Sequence, residues 1–392
     1  MRIGIITGEY PPMEGGVGDF THQLGKALNG YGHEIHILTT AVDEEEESES
    51  REDDLTVHRK IRDWGWGTHT LVTRWINAVS PDVINIQYQA AAYQMKGGIT
   101  LYPRWQKRYL SAPLVVTFHD LLPPYIFPKA GPLRQWTVWQ LAQHANGIIV
   151  TNGDDYGHLT KQLAEEVPPL RLIPIGSNIA PNPPKGFNPK AWRAEHRFSP
   201  DDILIGFFGF LNRSKGVETL IEAVARLAAE DLPVQLLFIG GRTGSSDITN
   251  ARYANEIDAL IEHCGIGGRV RRTGFAMPAD ISAALLSVDI CALPYRDGAN
   301  LRRGTLHAAL AHGAATITTT PVAETSQLYD GENVVFVPPE DVDVLAEAIR
   351  SLWHDPQKRL RLGKAAAALA QEFSWDRIAA HTAEFFRALV RG

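Results

Sequence analysis

Cysteine is nearly absent: Cys264 and Cys291 are the only two in 392 residues. One lies in a helix-like stretch and one in a strand-like stretch. They make neither a disulfide framework nor a metal cluster, and they point to a reducing compartment. Long apolar runs are missing too, and none approaches the roughly 18 residues that a membrane-crossing helix needs. Met1-Arg2-Ile3 leads straight into a strand-like run, so no signal peptide is expected and the expected location is cytoplasmic. Positive net charge is also lacking. The chain carries 38 Lys and Arg against 45 Asp and Glu, a formal charge of −7, which argues against nucleic acid as a partner. No Gly-Lys-Ser/Thr phosphate loop, no G-x-G-x-x-G fingerprint and no Asp-x-Asp in a strand-loop context occurs. No metal ligands are assigned.

What is present is βα alternation. Residues 203–208 (ILIGFF) read as a buried parallel strand. The loop Gly209 to Gly216 follows, carrying Arg213 and Lys215. After it Val217, Leu220, Ile221, Val224 and Leu227 recur at helical spacing. A strand that feeds through a basic, glycine-bounded loop into a helix N-terminus is suited to bind an anion; a solvated loop is the plainer reading. The chain opens on the same plan. A strand at 2–7 is followed by the loop GEYPPMEGGVG, a helix with Phe20, Leu24, Ala27 and Leu28 on one face, and a strand at 33–39. Gly15-Gly16 lets backbone approach a ligand at the head of that helix, although turns need glycine in any case.

Residues 43–54 (DEEEESESREDD) form an acidic run, expected to be a solvated, mobile loop. Strands are expected at 55–59, 83–87 and 114–118, the last ending at His119-Asp120. A histidine at the carboxyl end of such a strand lies where open α/β sheets bind ligands, and it either hydrogen-bonds a substrate hydroxyl or is satisfied by local backbone. The aromatics Trp64, Trp66, Tyr102, Trp105 and Tyr109, with those of 121–139, form an acceptor groove, a membrane-facing patch or ordinary packing. The prolines of 175–200 mark a linker without regular elements. Strands resume at 203–208, 234–239, 270–273, 289–293, 315–318 and 334–337. The reading is therefore α/β: two doubly wound Rossmann-like domains, 1–178 and 179–373, facing each other across a cleft. The apolar last helix, 374–392, is expected to pack back on the first domain.

Taken together, GEYPPMEGGVGDFTHQLGKALNGYGHEIHILT, VVTFHD, GFLNRSKG, TLHAALAHGAATITT, VAET and FSWDRIA, in that order, resemble the retaining glycosyltransferases of family 4, which have the GT-B fold. The resemblance covers nearly the whole chain. It implies transfer of a sugar from a nucleoside diphosphate donor to an acceptor hydroxyl with retention, the donor against the second domain and the acceptor against the first. It further implies no metal and no other cofactor, because protein cations and helix starts neutralise the leaving diphosphate. By position Lys215 is similar to the family's donor-phosphate lysine and His119 to its active-site histidine. Gly15 and Gly16 resemble the loop that closes over the diphosphate, and Gly209 opens the donor loop.

The departures are specific. The family's donor-loop arginine is Phe210 here, with Arg213 nearby as a replacement. The paired glutamates fall on Ala299 and His307, and Asp297 is the nearest upstream acid. The expected donor set is therefore rebuilt around Gly298, Arg302, Arg303, Gly304, Thr305, His307 and Glu324, with His307 reaching a ribose hydroxyl and His119, Lys215 and Asp297 catalytic. The acceptor is expected to be a glycan, a lipid-linked sugar or a small molecule. The basic-aromatic stretch 102–109 adds the expectation of a peripheral membrane contact at the inner surface. The alternatives are a GT-B pseudoenzyme or partner-binding subunit, favoured by the lost glutamates, and a nucleotide-sugar 2-epimerase, which needs a carboxylate cluster.

Overall fold

The structure, a computed structural model, describes residues 1–13, 15–42, 48–106, 109–125, 130–163, 168–241, 248–322 and 327–391. It divides into two units, Met1–Gly176 with Trp375–Gly392, and Ser177–Ser374.

The first unit is an eight-stranded sheet in the order β3-β4-β2-β1-β5-β6-β7-β8. Its strands are β1 (Arg2–Thr7), β2 (Glu34–Thr40), β3 (Ser48–Glu52), β4 (Leu55–Ile61), β5 (Val83–Tyr88), β6 (Leu114–Phe118), β7 (Gly147–Val150) and β8 (Leu170–Leu172). All pairs are parallel except β3 with β4. Helices α1 (Gly16–Gly30), α2 (Thr68–Val79), α3 (Gly98–Gln106), α4 (Pro132–Gln143) and α5 (Gly153–Leu163) connect them. Central strands such as β5 and β6 are buried along their whole length, as a sheet covered on both faces requires, with Asn85, Gln87 and Thr117 the polar residues among their apolar ones.

Strand β3 corrects the reading of the acidic run as a loop. Ser48–Glu52 pairs antiparallel with β4 through a tight turn at Asp53 and Asp54, both at positive φ. The like charges are dispersed across the hairpin. Arg59 holds Glu52 at 2.7 Å, His58 meets Glu49 at 3.0 Å and Lys26 meets Asp53 at 2.9 Å. Arg59 pulls the Glu52 carboxyl below its ordinary range. Residues 43–47 lie outside the described residues.

The second unit is an all-parallel sheet in the order β11-β10-β9-β12-β13-β14. Its strands are β9 (Ile203–Phe208), β10 (Val234–Ile239), β11 (Val270–Arg272), β12 (Ile290–Leu293), β13 (Ala315–Thr319) and β14 (Val335–Val337). Helices α6 (Pro189–Glu195), α7 (Val217–Ala229), α8 (Ile248–His263), α9 (Pro278–Ser287), α10 (Gly304–Ala311), α11 (Val342–His354) and α12 (Pro356–Ala370) complete it. The stripe Val217, Leu220, Ile221, Val224 and Leu227 of α7 is fully buried. At about 1.5–3 kcal/mol per buried side chain, it anchors the basic loop that precedes it.

Helix α6 corrects the linker reading. Asn188 caps it by accepting from the Lys190 and Ala191 amides, and Pro189 starts the helix where proline fits, with no amide to satisfy. Arg193 then ties it to Asp289 at 2.6 Å. The last helix, α13 (Trp375–Arg391), lies in the first unit, where Ile378, Phe385 and Phe386 join the core of β1, β2 and α1.

Candidate active site

In each unit the strand order reverses beside the first strand of its βα series, between β1 and β5 and between β9 and β12. Loops diverge there, and an open α/β sheet offers its ligand site at the carboxyl ends of those strands.

In the second unit two such loops meet. After β9 the chain passes Gly209 and Phe210, makes a 3-10 turn at Arg213–Lys215, and enters α7 at Gly216. Gly216 has φ +62, and a Cβ there would lie 2.1 Å from the Pro294 carbonyl oxygen. Only glycine permits this turn against the loop after β12. The turn directs Lys215 inward, where its Nζ donates to Thr305 Oγ1 at 3.2 Å and sits 5.1 Å from the centre of the Tyr295 ring. Tyr295 Oη and Thr305 Oγ1 are 2.7 Å apart. Among the described residues no carboxylate pairs with Lys215. Burial, then Arg303, depress its pKa to about 8, with Asp297 opposing. Gly209 packs against Thr305, and Gly304 opens α10, whose first turn no side chain among the described residues caps. The result is a largely desolvated ammonium beside an uncapped helix start, an arrangement that attracts a multivalent anion.

The expected arginines and acids divide. Arg303 also lies over the Tyr295 ring, 4.2 Å from its centre, and is ion-paired with Asp297. Asp297, expected to be catalytic, is here the counter-ion of an arginine. Arg302 is exposed at the loop tip, with its amide on Asn300 Oδ1. Gly298, at φ +76, passes close to the Thr320 carbonyl. Arg213 does not replace the family arginine. It is exposed, pairs with Glu256 and stacks over Tyr253 of α8. His307 is a second correction: it is 1% exposed, its Nε2 engages the Leu301 carbonyl at 2.8 Å, and its ring meets Phe373 edge-on. Burial holds its pKa near 4. It braces the 299–303 loop from the core and presents no face to a ribose. Glu324 lies outside the described residues.

In the first unit His119 follows β6. Its amide bonds the Tyr88 carbonyl at 2.9 Å, and its Nε2 lies 2.9 Å from Gln87 Oε1. Gln87 in turn donates to Asn85, whose amide reaches Thr117 Oγ1 and the Val115 carbonyl. This buried relay makes Nε2 the protonated nitrogen and leaves the lone pair on Nδ1. Phe20 packs edge-on at 4.7 Å, and desolvation lowers the pKa to about 3, so the imidazole is neutral at physiological pH.

The glycine loop holds a residue that sequence reasoning missed. Glu9 Oε1 accepts from the Val17 and Gly18 amides at 2.9 and 3.2 Å, filling the head of α1. Gly15 lies against that carboxyl, since a Cβ would come within 2.2 Å of it, whereas Gly16 is open. Burial raises the Glu9 pKa against the pull of the two amides. An acid a few residues before a helix start was the available signal. For Tyr295 the signal was an aromatic just past a strand end, the logic that singled out His119. Gln87 gave none.

Among the described residues no group of three or more His, Cys, Asp or Glu side chains is placed to hold a metal ion, and no helix is long and apolar enough to cross a membrane.

Two family descriptions match the chain in order: glycosyltransferase family 4 over residues 14–181 and glycosyl transferases group 1 over residues 188–369. A D-inositol 3-phosphate glycosyltransferase of Pseudarthrobacter chlorophenolicus is 23% identical, over 99% of this chain and 96% of its own. Among solved structures, the sucrose-phosphate synthase of Thermosynechococcus elongatus superposes with a TM-score of 0.77 at 22% identity, covering 99% of both chains. The Anabaena protein HepE in complex with UDP-glucose superposes with a TM-score of 0.74 at 18% identity, over 99% of this chain and all of the other. With both halves matched in sequence order and both parallel sheets in place, the chain is a glycosyltransferase of the GT-B fold, a family 4 domain followed by a group 1 domain.

Proposed function

We propose that the protein transfers a sugar from a nucleoside diphosphate sugar to an acceptor hydroxyl with retention at the anomeric carbon. The observation that carries this reading is Lys215, an ammonium bonded to a hydroxyl and a ring face but to no carboxylate among the described residues, beside the uncapped start of α10. A diphosphate supplies the missing counter-charge. In the transfer the anomeric carbon's bond to the diphosphate oxygen breaks while the acceptor oxygen bonds the same face. The acceptor proton passes to the departing phosphate oxygen. Lys215, Arg303 and the α10 amides stabilise the charge that develops there. In this reading protein cations do the neutralising and neither metal nor other cofactor takes part. The donor set is Gly209, Lys215, Gly298, Arg302, Arg303, Gly304 and Thr305 of the second unit. The first unit carries the acceptor side, a glycan, lipid-linked or small-molecule hydroxyl, and His119. Through Nδ1 the neutral His119 accepts a hydrogen bond from a sugar hydroxyl and orients the ring. The amides behind Gly15 and Gly16 reach the donor only when Glu9 withdraws.

The test is a thermal-shift panel of UDP, GDP, ADP, TDP and CDP and their sugar conjugates, each with and without EDTA. UDP and UDP-glucose head the panel because HepE was crystallised with them. One nucleotide is expected to raise Tm with EDTA present, with the effect lost in Lys215→Ala and weakened in the Arg302→Ala, Arg303→Ala double variant. Turnover with that donor, followed by anomeric NMR of the product, decides retention. Silence across the panel overturns the donor site and favours a binding subunit, a reading to which the Asp297–Arg303 pair already lends weight. Nucleotide release with no acceptor product favours the epimerase.

A further inference from the structure

Helices α2, α3 and α4 follow one another across the first unit, in contact along their lengths. Their sequences, THTLVTRWINAV, GITLYPRWQ and PLRQWTVWQLAQ, contain Arg74, Arg104 and Arg134 and not one Asp or Glu. Over residues 64–150 seven Lys and Arg stand against two acids, Asp82 and Asp120, in a chain whose overall charge is −7. Asp82 is engaged by the Arg2 amide at the start of β1, and Asp120 caps the Leu122 amide. Lys96 is held by Asp63 at 3.3 Å, and the described helices themselves carry Arg74, Arg104 and Arg134 with no acid, on an acidic protein.

The same face carries tryptophan. Among the described residues the three exposed tryptophans are Trp66, Trp105 and Trp136, at 50%, 45% and 39% exposure, with Leu71 and Leu133 exposed near them. Trp66 and Trp105 are 5.9 Å apart between ring centres, and the exposed Arg104 lies over the Trp136 ring at 5.6 Å. Beside Trp105 opens a groove of about 1080 Å³, lined by Arg104 and His144 and by apolar Leu110, Leu389 and Val390, with no carboxylate side chain on its walls. Indole rings with one wet edge, arginines with apolar stems and no acids are the chemistry that settles at a lipid headgroup layer. No helix of the described residues crosses a membrane, so the contact would lie in the plane of the interface.

We propose that the α2–α3–α4 face of the first unit docks on a bilayer surface bearing anionic lipids, Trp66, Trp105 and Trp136 entering the headgroup layer and Arg74 and Arg104 pairing with lipid phosphates. The proposal makes no use of Lys215 or His119, so it stands or falls apart from the donor reading. The full chain is to be sedimented with vesicles of phosphatidylcholine containing phosphatidylglycerol, and with phosphatidylcholine alone, while tryptophan emission is followed. At low ionic strength it is expected to pellet with the anionic vesicles only, with a blue shift, and to be released as salt rises. Arg74→Gln with Arg104→Gln is expected to weaken partitioning about fivefold per charge removed. Trp66→Ala with Trp105→Ala is expected to cut the blue shift to the part that Trp136 supplies. Both variants keep the wild-type thermal melt and nucleotide response. No pelleting with anionic vesicles at low salt overturns the proposal, as does equal binding to neutral vesicles. Unchanged binding by both variants also overturns it and assigns the patch to a protein or glycan.

Discussion

Lys215 keeps its ammonium where burial disfavours the charge, and this makes its function costly to the free protein. Its folded pKa, about 8, lies below the ordinary 10.5, so between those values the unfolded chain binds more protons than the folded one. Stability therefore rises with pH from about 8 toward the ordinary lysine range, and below pH 8 the penalty is fully present, on the order of 3 kcal/mol. Lys215→Met is expected to raise Tm at neutral pH, with the gain shrinking at pH 10, while turnover falls at least about a hundredfold, as when an oxyanion donor is removed. Denaturant melts at the two pH values and steady-state kinetics check this; a less stable variant with intact turnover would refute it. Nucleotide affinity of the wild type is expected to decline as pH climbs through about 8, because the free ammonium is then lost. His119, neutral above about pH 3, contributes no such step. Gln87→Leu strands the His119 N–H, at about 1–3 kcal/mol for a group left unpaired, and leaves the Asn85 side-chain carbonyl with Thr117 Oγ1 alone, at 3.4 Å. It is expected to lower Tm and, by freeing the imidazole tautomer, kcat more than KM.

At the scale of elements, the loops are set by close approaches that side-chain pattern does not report. Gly216 turns left-handed against the Pro294 carbonyl, so Gly216→Ala combines a strained φ with a backbone clash and is expected to destabilise by more than about 2 kcal/mol. Gly268→Ala, in open space, is the neutral control. Paired chemical melts of the two compare them directly. Glu9 acts as the N-cap that α1 otherwise lacks, since Gly15 has no side chain to serve. Glu9→Ala is expected to cost about 1 kcal/mol of stability and, by uncovering the α1 amides, to tighten nucleotide binding. Calorimetry showing weaker binding would instead make the carboxylate part of the donor site.

For the whole molecule, α13 is the segment that closes the first unit after the chain has built the second. Leu389 and Phe385 cover Gly147 at the start of β7, and Phe386 is fully buried. Phe386→Ala is expected to cost about 3–5 kcal/mol. Removal of residues 375–392 strips an apolar side from β1, β2 and α1 while leaving the core of the second unit whole. Limited proteolysis of the truncated chain is expected to degrade residues 1–176 and to spare a fragment spanning 177–374. Equal resistance of both would show that α13 is dispensable.

The βα alternation, the parallel strands, the apolar face of the last helix and the strand-end positions of His119 and the 209–216 loop were legible in the residues, because hydrophobic period and glycine placement are local properties that act before any long-range contact forms. The resemblance to family 4 was legible for the same reason, since short motifs in fixed order survive wide divergence. Two local readings went wrong where a distant partner changed the balance: Arg59 and His58 drew part of the acidic run into β3, and Asp289 held α6 in what read as a linker. Which cation faces the site was a tertiary decision. Arg213 and Lys215 are two residues apart on one turn, yet one meets Glu256 on α8 and the other is driven inward onto Tyr295 and Thr305. His307 sank into the core because the Leu301 carbonyl and Phe373 were there to receive it. A charge or an imidazole carries no mark in sequence of what will stand opposite it, and its chemistry depends on that neighbour more than on itself.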